Sequence, residues 1–145
     1  MSTPYSVIYD QALVCFSDFS FLNMEDDVRD DILHKYLNIA QGDFQRVCVF
    51  DLSDRDDELC EYAADLTTDE IDVFALGIAY YWMSAQVLST DLMYNPMSTR
   101  DYTFHSTAEL LKTMSTAKEN LRLAYRKRII MYSYDHADHS VLGGD

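Results

Sequence analysis

The sequence predicts a mostly α protein, a small helical bundle with two long C-terminal helices and an extended C-terminal tail. Three observations carry this. Only 4 glycines and 2 prolines serve the turns, too few for a turn-rich sandwich or barrel. Apolar residues recur at three- and four-residue intervals over most of the chain, the period of one helix face. Two Ser/Thr-x-x-Glu capping boxes, Thr67 to Glu70 and Ser106 to Glu109, each stand directly before such a stretch. With 145 residues the size fits one domain over 1–134, followed by a tail over 135–145 expected to dock elsewhere. A hydrophobic share of 48% suffices for a core.

The first helix is expected to be capped by Ser2 or Thr3, with Pro4 at its first position and Val7, Ile8, Gln11, Ala12, Cys15 and Phe16 as its stripe. Ser17 to Asn23 reads as a link whose Phe19, Phe21 and Leu22 tuck into the core. A second helix should start near Met24, with Glu25, Asp26 and Asp27 in its first turn, where negative charge is favoured. Its buried side comprises Val28, Ile32, Leu33, Tyr36, Leu37, Ile39 and Ala40, and Gly42 marks an end or kink. Phe44, Val47, Val49 and Leu52 either extend it or form a short strand; periodicity leaves both open. Asp51 to Glu61 reads as a strongly acidic, mobile loop.

The third helix begins near Asp69, and Ile71, Phe74, Ala75, Ile78, Trp82, Ala85 and Leu92 share one face. Val73, Leu76, Tyr80 and Val87 add apolar surface opposite, so the helix should be enclosed, with Trp82 in the core. No charge falls between Val73 and Leu88, but the run is shorter than the roughly 20 residues a bilayer needs and holds Ser84 and Gln86. A core helix is expected, not a membrane span. Asn95-Pro96 should open a loop to Phe104. The fourth helix then runs from the second capping box to about Tyr134, on a stripe of Leu110, Met114, Ala117, Leu121 and Ala124 flanked by Leu111, Tyr125, Ile129 and Tyr132.

The formal net charge of −14 is unevenly spread. Lys112, Lys118, Arg122, Arg126, Lys127 and Arg128 all fall in the fourth helix, where only Glu109 and Glu119 are acidic before Tyr134. So acidic a body repels phosphate backbones, which excludes general DNA binding. The basic helix has two readings: cations that favour the helix C-terminus and stay solvated, or a Lys118/Arg122/Arg126 ridge that docks on an acidic neighbour such as another copy.

The motifs of chemistry are absent. There is no Gly-rich phosphate loop, no metalloprotease histidine pair and no nucleophile elbow, so neither an enzyme nor a cofactor is expected. Asp54, Asp56 and Asp57 lack the glycine and glutamate of a calcium loop. His136 and His139 could meet on one helical turn beside Asp135 and Asp138, but at a polar end before Gly143-Gly144 they read as a frayed tail without metal. Cys15, Cys48 and Cys60 are odd in number and widely spaced, which fits reduced, buried thiols in an intracellular protein. No basic N-terminal region precedes an apolar core, so no signal peptide is expected.

Leu66-Thr67-Thr68-Asp69-Glu70-Ile71, then Ala75-Leu76-Gly77-Ile78-Ala79-Tyr80-Tyr81-Trp82-Met83, then Arg100-Asp101-Tyr102-Thr103-Phe104-His105-Ser106 and a long helix ending in Tyr132-Ser133-Tyr134 form a pattern. Over roughly residues 24–134 it resembles the small head-to-tail connector (adaptor or neck) proteins of tailed bacteriophages. The acid-rich stretch Asp54 to Glu61 and the tail after Tyr134 lie outside it.

The resemblance implies a non-enzymatic structural protein of the virion neck, made in the host cytoplasm. It would form a homo-oligomeric ring, commonly a dodecamer, with the portal protein above and a tail-side neck or tail terminator protein below. DNA would be only passing cargo, and no membrane is involved. The expected interface comprises Lys118, Arg122, Arg126, Lys127, Arg128, Tyr132 and Tyr134, the acidic Asp54, Asp56 and Asp57, and Val141 and Leu142 on the docking tail. A different class also fits the acidity: a DNA-mimicking phage protein that inhibits a host nucleic-acid-binding enzyme. The basic helix argues against it.

Overall fold

Thr67 and Glu70 close the first capping box. In this computed structural model, which describes residues 2–15, 25–97 and 101–136, the Glu70 amide donates to Thr67 Oγ1 at 3.3 Å. The Thr67 amide donates in return to Glu70 Oε1 at 2.8 Å. Both donors would otherwise stand without a partner at the helix start. In chain order the elements are β1 (Thr3–Pro4), α1 (Tyr5–Cys15), α2 (Asp26–Phe44), β2 (Arg55–Asp56), β3 (Glu61–Tyr62), α3 (Thr68–Met97) and α4 (Asp101–Asp135). The chain is mostly helical, a bundle with two long C-terminal helices, as the sequence predicts.

Helix α3 is the axis of the bundle, and α1, α2 and α4 all pack on it. Its Val73, Phe74, Ala75, Ile78, Ala79 and Trp82 are buried. By length and composition Thr68–Ser89 could cross a bilayer; here α1, α2 and α4 pack on it and bury part of it, while Leu88 near its end is exposed, so it is a core helix on one side rather than one enclosed all round. Gly77 marks a close approach. A Cβ there would come within 2.7 Å of Ala40 Cβ on α2 and 2.9 Å of the Tyr125 ring on α4.

Several boundaries differ from the sequence reading, each for a local reason. Thr3 does not cap α1. Its hydroxyl donates to the Ala64 carbonyl and accepts from the Leu66 amide, both at 2.8 Å, which holds Thr3–Pro4 as an edge strand. The sheet order is β1-β3-β2, all antiparallel, with Thr3 and Arg55 both opposite Tyr62. Pro4 can sit there because an edge strand needs no further amide donor. Gly42 lies inside α2, which continues to Phe44 because Leu37, Ala40 and Phe44 form one buried row. Val47 and Val49 then fall in turns rather than in a strand.

The expected loop from Asn95 to Phe104 is largely helical, since α3 runs to Met97 and α4 starts at Asp101. Pro96 is one residue from the end of α3, so it removes a single backbone bond and carries no further turn past its ring. The Ser106 to Glu109 box consequently lies within α4. Among the α4 residues whose burial is described, Tyr125 and Tyr132 are the buried ones while Leu110 is exposed, so the buried line is rotated from the expected stripe. Val7, Val28 and Ile39 are likewise exposed. Phe16 and the Ser17 to Asn23 link lie outside the described residues.

The acidic stretch Asp51 to Glu61 is a built hairpin, not a free loop. Leu52 and Tyr62 are fully buried at its base. Gln45 Oε1 accepts the Leu52 amide at 2.6 Å, and Gln41 Oε1 accepts from Arg55 Nη1 at 2.7 Å and from the Tyr62 hydroxyl at 2.6 Å. Gln41 on α2 and Gln45 just past its end therefore anchor the segment.

Candidate functional site

Asp43, near the end of α2, accepts hydroxyl hydrogen bonds from Tyr81 on α3 and Tyr125 on α4, the latter at 3.1 Å. One carboxylate thereby joins three helices beside a cleft of about 470 Å³. Burial, reinforced by Asp43, pushes both phenols above their ordinary range, so they remain donors at neutral pH. Asp43 and the two tyrosines line this cleft themselves, together with Arg46, Arg122, Arg126, Tyr80 and apolar Val47, Ile129 and Ile130.

These arginines are a local positive concentration on a strongly acidic chain. Arg122 is held by Glu119 one turn earlier, its Nε at 2.9 Å from Oε2 and 3.1 Å from Oε1. Those bonds keep the Glu119 carboxyl below the usual carboxylate range. The guanidinium groups of Arg46 and Arg126 make no hydrogen bond or ion pair among the described residues. Three guanidinium groups against the single Asp43 carboxylate leave the lining net positive, so the cleft is suited to an anionic occupant with an apolar part.

The acidic counterpart lies on the far side of α2. The hairpin contacts His34 and Gln41, with His34 Nε2 3.9 Å from Asp57 Oδ1. At 3.6 residues per turn, Asp43 lies roughly 160–180° around the helix from these two, and Arg46 follows in the turn just past the helix end. The hairpin is braced from beneath. Tyr5 donates its hydroxyl to Asp57 Oδ1 at 2.7 Å, and Arg55 Nε is 3.3 Å from the same oxygen. The Tyr5 bond first, then the Arg55 charge, holds the Asp57 carboxyl below its ordinary range. Asp56 Oδ1 accepts the amides of Glu58 at 2.9 Å and Leu59 at 3.1 Å, an Asx turn that fixes the tip.

The expected interface residues separate into distinct environments. Arg122 and Arg126 enter the cleft; Lys118 is half-buried and Lys127 exposed elsewhere along α4. Arg128 points to the start of α3, 3.7 Å from both Asp69 and Asp72, and so braces its own chain. Tyr132 is no surface residue. At 3% exposure it packs edge-on against Phe44 and hydrogen-bonds Glu70, because one turn of α4 brings it over the α3 capping box. Tyr134 is 82% exposed. Asp54 and Asp56 are exposed on the hairpin, whereas Asp57 is engaged by Tyr5 and Arg55. Val141 and Leu142 lie outside the described residues.

Arg46, Asp43 and the tyrosine pair were not legible as a site, since Arg46 and Arg122 meet only through the packing of α2 on α3 and α4. The expectation of three buried thiols is corrected for Cys60. It is exposed, with φ of 55° at the end of the hairpin turn. Cys15 and Cys48 are half-buried, and burial raises both thiols. No group of three or more metal-ligating side chains occurs among the described residues. His136 stacks on Tyr132 at 4.0 Å between ring centroids; Asp138 and His139 lie outside the described residues.

No protein-family model, curated protein or solved structure matches the chain.

Proposed function

We propose that this chain is a structural protein of a bacteriophage neck, a ring-forming head-to-tail connector that joins the portal to the tail and leaves a channel for DNA. The observation that carries the reading is the division of charge across α2, with an arginine-lined cleft on one side and a braced acidic hairpin on the other. A ring interface is heterologous: one flank of each copy must complement the opposite flank of the next. Opposite charges on opposite flanks supply orientation and register to such a contact. An acidic body would also let packaged DNA pass without sticking. The portal above and a tail-side neck or terminator protein below would be its partners in the virion.

Cryo-electron microscopy of particles from cells that make the chain, with copies counted at the neck, tests this. A ring between portal and tail is the expected result. Absence from the particle would overturn the reading and favour the acidic DNA mimic, whose mark would be binding to a basic host protein competed by duplex DNA.

A further inference from the structure

We infer that the tip of the acidic hairpin is a knob, centred on Leu59, that a neighbouring copy of this chain receives in its Arg46/Arg122/Arg126 cleft. The inference deepens the ring reading and rests on it. Leu59 is 67% exposed at the hairpin turn, an apolar side chain that the fold holds out rather than in. The Asx turn of Asp56 and the bracing of Asp57 by Tyr5 and Arg55 fix its position, so little conformational freedom is lost when it docks. Asp56, Glu58 and Glu61 surround it in sequence.

The cleft has the inverse layout. Ile130, 61% exposed, lies with Ile129 and Val47 among three guanidinium groups, of which Arg46 and Arg126 have no partner of their own among the described residues. An apolar tip flanked in sequence by carboxylates therefore meets a cleft that combines apolar side chains with three arginines and one carboxylate, Asp43. The acidic flank is also broad. A groove of about 320 Å³ beside the hairpin is lined by Asp30, Asp31 and Asp57, which would extend the contact past the tip. Because knob and cleft face opposite sides of α2, one copy cannot satisfy both needs with a single partner by two-fold symmetry. The contact propagates head to tail and closes only as a ring.

The native thiol of Cys60, next to Leu59 and exposed, provides the test. In the full chain carrying Ile130→Cys, mild oxidation with diamide is expected to give a ladder of linked copies on a non-reducing gel. Mass spectrometry should then find a disulfide-linked peptide pair joining Cys60 to the thiol introduced at position 130. The ladder should vanish in the added presence of Cys60→Ser. It should be absent when the new cysteine is placed instead at Leu123, which is exposed on α4 but outside the cleft. Raising salt to about 1 M, where charges are screened beyond ~3 Å, should cut the yield severalfold. Arg126→Glu should weaken self-association about tenfold, and Glu58→Arg in the same chain should recover part of it.

Rings present in particles but lacking the link from Cys60 to position 130 would overturn this contact and leave the connector reading standing. That same link, formed specifically in a chain that never enters particles, would do the reverse. Links formed equally well from Leu123→Cys would show random collision and overturn the knob.

Discussion

The Tyr132 hydroxyl donates to Glu70 Oε2 at 2.6 Å and so ties the last turns of α4 to the first turn of α3. The other Glu70 oxygen holds the Thr67 amide, and the Val49 amide donates to the Tyr132 oxygen at 3.3 Å. Glu70 is only 1% exposed. A carboxylate that deep is tolerated because both oxygens have donors. The capping glutamate thus fastens a helix start, a helix end and the loop after α2 at one point.

Removing the hydroxyl leaves one carboxylate oxygen buried without a donor. Tyr132→Phe is therefore expected to lower unfolding free energy by about 2 kcal/mol, as for a hydrogen bond to a charged group. Urea titration of the two proteins reads this directly. A loss under about 0.5 kcal/mol would mean that water replaces the phenol and that the tie is weak.

The capping box at Thr67 was legible because its residues are three apart and act within one turn. Its link to Tyr132 was not, because 62 residues separate donor and acceptor and only the α3–α4 packing brings them together. Tyr132 accordingly read both as a flank of the apolar stripe and as an interface residue, with no partner on α3 in view. The three strands were missed for a different reason. Each is two residues long, below the window in which alternation can be seen, and their pairing depends on the Thr3 hydroxyl and on Gln41. Within the site, Arg122 and Arg126 were legible from their four-residue spacing, whereas Arg46 acquires its role only when α2 crosses the other two helices.

Gly77 sits on α3 against both α2 and α4. A methyl group there would overlap Ala40 Cβ and the Tyr125 ring. Alanine gains about 1 kcal/mol in helix propensity over glycine, while overpacking costs about 1–3 kcal/mol. Ala40 has no rotamer to give way, so Gly77→Ala is expected to destabilise by about 1 kcal/mol net, and Gly77→Val by more. A Gly77→Ala protein with a higher melting temperature would show that the helices spread freely.

Alkaline pH should unfold the protein abruptly. Burial is the first cause raising the phenols of Tyr5, Tyr9, Tyr81, Tyr125 and Tyr132, and it pushes Tyr62 up to about 12. Unfolded, each would ionise near 10. Between about 10 and the folded value the unfolded chain has lost protons that the native chain keeps, so stability is intact below about pH 10 and falls as pH rises above it. Each protected phenol contributes ~1.4 kcal/mol per pH unit to that slope. Tyrosinate absorbance at about 295 nm is expected to rise together with the loss of helical circular dichroism. Ionisation of these phenols in a chain that keeps its native dichroism would contradict the burial.

Charge changes on α4 should divide by position, although the helix presents its arginines only a few residues apart. Arg128 is 3.7 Å from Asp69 and Asp72, but its side chain is 45% exposed. Surface pairs of this kind contribute about 0–1 kcal/mol, so Arg128→Ala should lower stability by about 0.5 kcal/mol and leave assembly intact. Arg122→Glu with Arg126→Glu acts differently. It replaces the exposed Arg122–Glu119 pair by two like charges in solvent, and it removes the cations that an acidic neighbour would need. The double variant is expected to remain folded, with dichroism and urea midpoint close to the parent, while rings fail to form in native mass spectrometry or in particles. Unfolding of the isolated double variant would assign the ridge to the monomer's own stability, because the charges would then be acting within one chain rather than between copies.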